Sequence, residues 1–344
     1  MTTFRLATES DDAILRSLLR GNPMPTWVDM AIEREPSFFA GKDMLGNDWA
    51  VIAEDDDEVV GMYTASVMPV HVDGRAELLG YLGGLRVNPG FRRKIRYLRD
   101  GYASIRKLAP TTGTLPWWFT VVASENTTAR RLLESGVGGL PSYKYQGDYV
   151  TFAVATAHGK RRNLWRAATV TDIPHIVNFY NEQARRFQCS PVLSAALIGQ
   201  IGIHAFFIYE HSGVAALWDQ RAFKQVVARH YRRPLRTLRP FYNLYAKALR
   251  KIPLPPEGGA LDQTFIAFLA LDTATQHRAS DLLRDLLSHC RTRAASIGLY
   301  AENPLIPMIK TMKPISYPAR VYAVCFDGEA VPNGRPMQPE AALL

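Results

Sequence analysis

The chain has 344 residues, 47% hydrophobic and 21% charged, with a formal net charge of +9; this is enough for two ordinary domains. No run reaches the ~18 apolar residues of a membrane span, and the opening MTTFRLATESDD lacks the basic-then-apolar order of a secretion signal. The three cysteines, Cys189, Cys290 and Cys325, form no CxxC pair, and the eight histidines show no HxxxH spacing, so we expect a reduced, cytoplasmic protein with neither a disulfide scaffold nor a metal.

In chain order, the pattern predicts a helix-rich stretch over 10–37 and strands over 48–54, 59–70 and 77–87. A helix over 93–107, a strand over 117–123, a helix over 126–135 and a strand over 146–155 follow. The acidic run 54–58 and Asp73-Gly74 mark turns, the latter a strong hairpin signal. The segment TAHGKRRN (156–163) reads as a linker, which separates a first domain, 1–155, from a second, 164–327. There the pattern predicts strands near 204–211, 213–230, 263–271, 297–301 and 318–326. A helix over 278–295 carries Leu282, Leu283, Leu286 and Leu287 on one face. The Pro- and Gly-containing segment 328–344 reads as a disordered tail.

The charge is local. Between Arg221 and Lys251 there are ten Lys/Arg and no acidic residue, so the rest of the chain sums to about −1. This basic insertion, 229–261, contains an amphipathic helix predicted over 238–251, with Leu238, Phe241, Tyr242, Tyr245 and Leu249 on its apolar side. Three readings stand: a lid selecting an acidic or lipid-like acceptor, a contact for an anionic membrane or carrier protein, or a bridge between domains. Nucleic-acid binding ranks last, because no nucleic-acid motif accompanies the patch.

The sequence repeats its own plan. FRLATESDDAILRSLL and WRAATVTDIPHIVNFY share Arg5/Arg166, Ala7/Ala168, Thr8/Thr169 and Asp11/Asp172, with Phe4 matching Trp165. Each reads as a short strand ending in a turn that caps a helix. Further on, an apolar strand runs through Glu125-Asn126 into a helix, and Glu302-Asn303 repeats that arrangement. Two landmarks in the same order indicate a duplicated domain.

With GLRVNPGFRR and VVASENTTARRLLESG, the sequence resembles the GNAT acyltransferase superfamily over roughly 3–155 and 164–326. The resemblance implies an α/β fold of two GNAT-like domains in tandem, each a mixed, mostly antiparallel sheet flanked by helices. It also implies acetyl-CoA or another acyl-CoA as co-substrate and a small-molecule or peptide amine as acceptor. In that family a bulge on the central strand meets the pantetheine arm and the next helix N-terminus binds the diphosphate. Here backbone at Leu85, Arg86 and Val87 matches the bulge, and Arg92, Arg93, Lys94, Arg96 and Tyr97 match the phosphate end, with Asn126 in the later motif. Ile95 and Tyr97 stand where the family has small residues, which shifts phosphate binding from backbone amides to basic side chains. The basic insertion would enter at the opposite end of its central strand from the CoA phosphates.

Amide-forming acyl transfer needs a neutral amine and a protonated leaving thiolate. Strict alternation along 77–87 puts Glu77, Tyr81, Leu85 and Val87 on one face. Glu77 is then a candidate base, with Tyr81 and Ser124 as candidate proton donors. A chain that keeps the fold but only binds acyl-CoA, or docks to an anionic partner through the insertion, is the alternative.

Overall fold

The computed structural model describes residues 2–23, 28–41, 47–56, 58–91, 95–108, 113–326, 332 and 334–344. The first half contributes strands β1 (Thr3–Leu6), β2 (Val28–Glu33), β3 (Asn47–Asp55), β4 (Glu58–Val72), β5 (Arg75–Val87), β6 (Thr114–Ala123) and β7 (Ser142–Ala155). Its helices are α1 (Asp12–Gly21), α2 (Ile95–Leu108) and α3 (Thr127–Glu134). The second half contributes β8 (Arg166–Ala167), β9 (Ser190–Pro191), β10 (Phe206–Tyr209), β11 (Gly213–Trp218), β12 (Gln225–Tyr231), β13 (Gln263–Leu271), β14 (Ala294–Tyr300) and β15 (Ile315–Cys325). Its helices are α4 (Ile173–Ala184), α5 (Ala195–Ile201), α6 (Arg233–Ala248), α7 (Ala279–Ser288) and α8 (Ile306–Thr311). No described helix is long and apolar enough to cross a membrane.

The repeat has a structural cause. Arg5 donates to both Asp11 carboxylate oxygens at 2.8 Å, and Arg166 does the same to Asp172 at 2.8 and 2.7 Å. Each Asp also accepts from the backbone N–H of Thr8 or Thr169 at 2.8 Å. The same three side chains therefore start the first helix of each half.

The halves form one sheet, in the order β1-β3-β4-β5-β6-β15-β7-β14-β13-β11-β10-β8. Its centre interlocks them. The second half's last strand, β15, lies between β6 and β7 of the first. The first half's last strand, β7, lies between β15 and β14 of the second. A boundary near 156–163 is thus crossed by an exchanged strand in each direction. The strands from β6 through β15 and β7 to β14 alternate in direction. Consequently the C-terminal ends of β5 and β6 share a sheet edge with the start of β13, where α6 and the basic insertion join. That edge is opposite the end that the family resemblance assigns to the cofactor in the insertion's own half, but it is the end so assigned in the first half.

Several expectations change. The helix expected over 10–37 ends at Gly21, and Val28–Glu33 is a strand paired with β12, the bridge between halves. Pro23 lies just past the helix end, where it cannot continue the helix, and the pairing partner of β2 is nearly 200 residues away. The single strand expected over 213–230 is two, because Gln220–Lys224 turns: the N–H groups of Phe223 and Lys224 both donate to the Gln220 carbonyl. The helix over 278–295 ends at Ser288, although Leu282, Leu283, Leu286 and Leu287 are buried as expected. The linker is fastened down. Asp285, fully buried, accepts from the N–H groups of Arg162, Asn163, Leu164 and Trp165 at 2.5–3.1 Å. Nor is the whole tail disordered. Ala341, Ala342 and Leu343 are buried, and residues 336–344 bond to strands and loops of the second half.

Candidate active site

Two neighbouring strands that run parallel and then part leave a cleft lined by unpaired backbone. β5 and β6 pair as far as Tyr81 opposite Phe119 and no further. Just beyond, the Thr120 hydroxyl donates to the Leu82 carbonyl at 2.7 Å, satisfying the first orphaned group. On its other edge β5 carries a bulge. Thr64 faces Gly83 and Met62 faces Arg86, so Gly84 and Leu85 together oppose Tyr63. Gly84 has φ +61°, a left-handed conformation that a side chain disfavours, and a Cβ there would lie 2.8 Å from the Thr64 hydroxyl.

The bulge overturns strict alternation. An extra residue flips the strand's facing, so Leu85 and Val87 leave the face of Tyr81, and Arg86 joins it. The Tyr81 ring leans along the strand over Gly83: a Cβ at Gly83 would lie 2.9 Å from Tyr81 Cε1 and 3.2 Å from its hydroxyl oxygen. This directs the phenol toward Arg86. Burial lowers the Arg86 pKa, and its electrostatic interaction with Tyr81 opposes that. One Arg86 Nη donates to the Leu85 carbonyl at 2.9 Å, while its buried Nε meets no hydrogen-bond partner. The cleft therefore holds a phenol and a partly desolvated guanidinium on one face of β5, near enough to interact electrostatically. Tyr81 also packs on Phe119, ring centroids 4.9 Å apart.

The other expected site residues are dispersed. Glu77 shares the face of Tyr81 but lies four residues, about 13 Å, down the strand. Ser124 follows the end of β6, its N–H donating to the Pro318 carbonyl at 2.9 Å. Asn126 caps α3, its side chain accepting from the Ala129 N–H at 3.2 Å. Tyr97 is buried and donates to Asp55 at 2.6 Å, so its phenol is held in the fold. Arg96 is exposed at the start of α2, 3.7 Å from the Asp55 carboxylate. Arg92, Arg93 and Lys94 lie outside the described residues.

The second half repeats the framework with different contents. β13 and β14 pair only as far as Phe265 opposite Ser296. A bulge at Phe268 and Leu269 opposes Ala215, and Phe268 has φ +51°. In register, Phe265 stands for Tyr81, Phe268 for Gly84 and Ala270 for Arg86. This cleft is filled from within. Glu340 accepts from the Phe268 N–H at 2.9 Å. Gln338 accepts from the Tyr300 N–H at 3.0 Å and donates to the Gly298 carbonyl at 2.9 Å, satisfying the parted edge of β14. Gly298 makes room first for Tyr149, whose hydroxyl would lie 1.9 Å from a Cβ there, and then for the plug, with the Ala341 Cβ at 2.7 Å. Sequence reading missed this segment; the only local signal was Glu340 preceding an apolar Ala-Ala-Leu-Leu run.

No family model and no curated protein sequence matches the chain. Solved structures do. A GCN5-related N-acetyltransferase from Anabaena variabilis matches at 10% identity and TM-score 0.50, over 95% of this chain and 73% of that one. Saccharomyces cerevisiae N-myristoyltransferase with bound myristoyl-CoA matches at 9% identity and TM-score 0.55, over 96% of this chain and 87% of that one. Parallel strands that part just before a bulge, built twice into one sheet, thus belong to a chain with the fold of the GCN5-related N-acetyltransferases.

Proposed function

We propose that this chain is an acyl-CoA-dependent N-acyltransferase that binds its donor in the first-half cleft and acylates a primary amine. The observation that carries this reading is the contrast between the clefts. The first has glycine at the bulge with Tyr81 and Arg86 beside it, whereas the second has Phe268, Phe265 and Ala270 and is filled by residues 338–343. The filled cleft also supports an assignment for the first one. Glu340 offers an oxygen to the bulge N–H of Phe268, and Gly84 presents the corresponding N–H in the first half. A thioester carbonyl oxygen is the acceptor we assign to it, with backbone flanking Leu85, Arg86 and Val87 along the pantetheine. Myristoyl-CoA in the yeast neighbour supports an acyl-CoA donor, of which acetyl-CoA is the simplest.

In this scheme the amine nitrogen attacks the thioester carbon, held against the Gly84 N–H. The C–N bond forms, the C–S bond breaks, and Tyr81 gives its proton to the departing thiolate. Arg86 stabilises the phenolate, which regains a proton from the new ammonium through water. Glu77 is too far down the strand to take that proton directly. Arg92, Arg93 and Lys94 hold the phosphates by charge-assisted bonds; Arg96 adds less, because Asp55 already engages it.

Calorimetric titration with CoA and acetyl-CoA, followed by turnover on a broad amine panel, tests the proposal. We expect micromolar-scale binding, weakened at least ~10-fold, or ~1.4 kcal/mol, in Arg92→Ala with Arg93→Ala. Tyr81→Phe keeps donor binding and slows turnover ~100-fold or more. No binding at millimolar ligand refutes the donor site. Binding without turnover on any amine makes the chain an acyl-CoA-binding module instead.

A further inference from the structure

Helix α6 has three faces. At 100° per residue, Leu235, Tyr242 and Ala246 turn toward the protein, where Ala246 is fully buried and Asn243 Nδ2 donates to the Leu254 carbonyl at 3.0 Å. Leu238, Phe241, Leu244, Tyr245 and the capping Leu249 fall within one arc of about 140°. They are 48–71% exposed, Phe241 and Leu244 most of all. Arg233, Arg236 and Lys247 line the arc between. Some cations of the insertion are engaged: Glu33 holds Arg229, and Glu257 lies 3.7 Å from Arg236. At the foot of the helix is a cavity of about 210 Å³ bordered by Tyr242, Arg250, Lys251 and Lys313.

We propose that the outer face of α6 is a docking surface for an anionic lipid bilayer. Five large apolar side chains on a convex helix would each keep water ordered unless covered. A convex ridge suits a fluid acyl-chain boundary, whereas a protein partner would need a matching groove. Arg233 and Lys247 supply charge complementarity to anionic headgroups, Arg236 being shared with Glu257, and no acidic residue stands between 221 and 251. The basic cavity beside the helix has the charge to take a lipid phosphate. The first-half cleft opens at this same sheet edge, so docking would hold it beside the membrane surface. The inference stands whether or not the cleft transfers acyl groups.

Flotation of the full chain with vesicles is the test, comparing phosphatidylcholine alone with an equal mixture of phosphatidylcholine and phosphatidylglycerol. The chain should float with the mixed vesicles only, and raised salt should weaken the association. Phe241→Glu with Leu244→Glu should lower it at least ~10-fold; both positions are exposed, so the thermal unfolding midpoint should not move. Absence of binding to the mixed vesicles, or unchanged binding by the double variant, overturns the proposal. So does a stable dimer that ignores vesicles and is split by the double variant, because a second copy then covers the face.

Discussion

Gly84→Ala probes the bulge most directly. Alanine at φ +61° carries a left-handed cost of ~1–2 kcal/mol. Its Cβ would lie 2.8 Å from Thr64 Oγ1 and 3.0 Å from Thr64 Cγ2. Thr64 is buried on β4, which is paired on both sides. Relief must therefore come from moving a central strand, and such overpacking costs ~1–3 kcal/mol. The two terms predict a loss of ~2–5 kcal/mol. Thr64→Ala removes both overlapping atoms and leaves the dihedral cost. The double variant should therefore recover ~1–3 kcal/mol relative to the sum of the single changes.

Urea unfolding of the wild type, the two single variants and the double variant measures this coupling. Acetyl-CoA titration of the same proteins should show binding falling with Gly84→Ala, because a bulge displaced to admit Cβ re-aims the Gly84 N–H. Phe268 at φ +51° is no counterexample: Ala215 stands opposite it and Ala216 opposite the preceding residue, small side chains where the first half has Tyr63 and Thr64. Coupling below ~0.5 kcal/mol would refute the steric account. Unchanged donor affinity in a destabilised Gly84→Ala would refute the bulge as the thioester site.

Three further predictions follow from buried groups and strand exchange. Burial raises the Glu340 pKa from 4.5 to about 7 despite amide bonds from Phe268, Ala342 and Ala341. The folded protein thus keeps a proton the unfolded chain has released, so stability should fall by ~3 kcal/mol as pH rises from about 4.5 to about 7; Glu340→Gln should flatten that slope in urea melts. For Asp285, burial opposes the charge, but bonds from Trp165, Arg162 and Leu164 outweigh it and lower the pKa below 3.8. Its contribution is therefore present above about pH 4 and lost as pH falls through the lowered value. Asp285→Ala should cost ~3–5 kcal/mol at neutral pH by orphaning four amides, and a loss under ~1 kcal/mol would show that they find other partners. Because each half holds a strand of the other, calorimetric and van't Hoff enthalpies should agree for the whole chain, and two resolved transitions would contradict the interlock.

What could be read from the sequence was what is encoded locally. Asp73-Gly74 forms its two-residue hairpin because both residues accept positive φ, here 51° and 83°. The Arg5/Arg166 repeat was legible because three side chains build the same cap twice. The bulge was not, since nothing local distinguishes GYLGGLRV from an alternating strand; the extra residue appears only against β4. Tyr81 entered as a candidate on its chemistry, whereas Arg86 was assigned a backbone role because its facing depended on that bulge. β2 was hidden for the same reason, its partner β12 lying far along the chain.

The filled second cleft bears on why the two clefts carry different side chains. A parted strand pair leaves amides and carbonyls that must be satisfied by a ligand, water or protein. Gln338 and Glu340 satisfy them permanently in the second half, so a tyrosine or arginine there would have no substrate to meet and would need partners of its own. Phe265, Phe268 and Ala270 are what such a cleft selects: apolar groups packed against an internal plug. On the function proposed above, the same backbone needs in the first half fall to an incoming molecule, and Tyr81 and Arg86 are the polar residues at the matching positions. Strand exchange lets that division persist. β7 and β15 are held by both halves, so the second half supports the first structurally even with its own cleft closed.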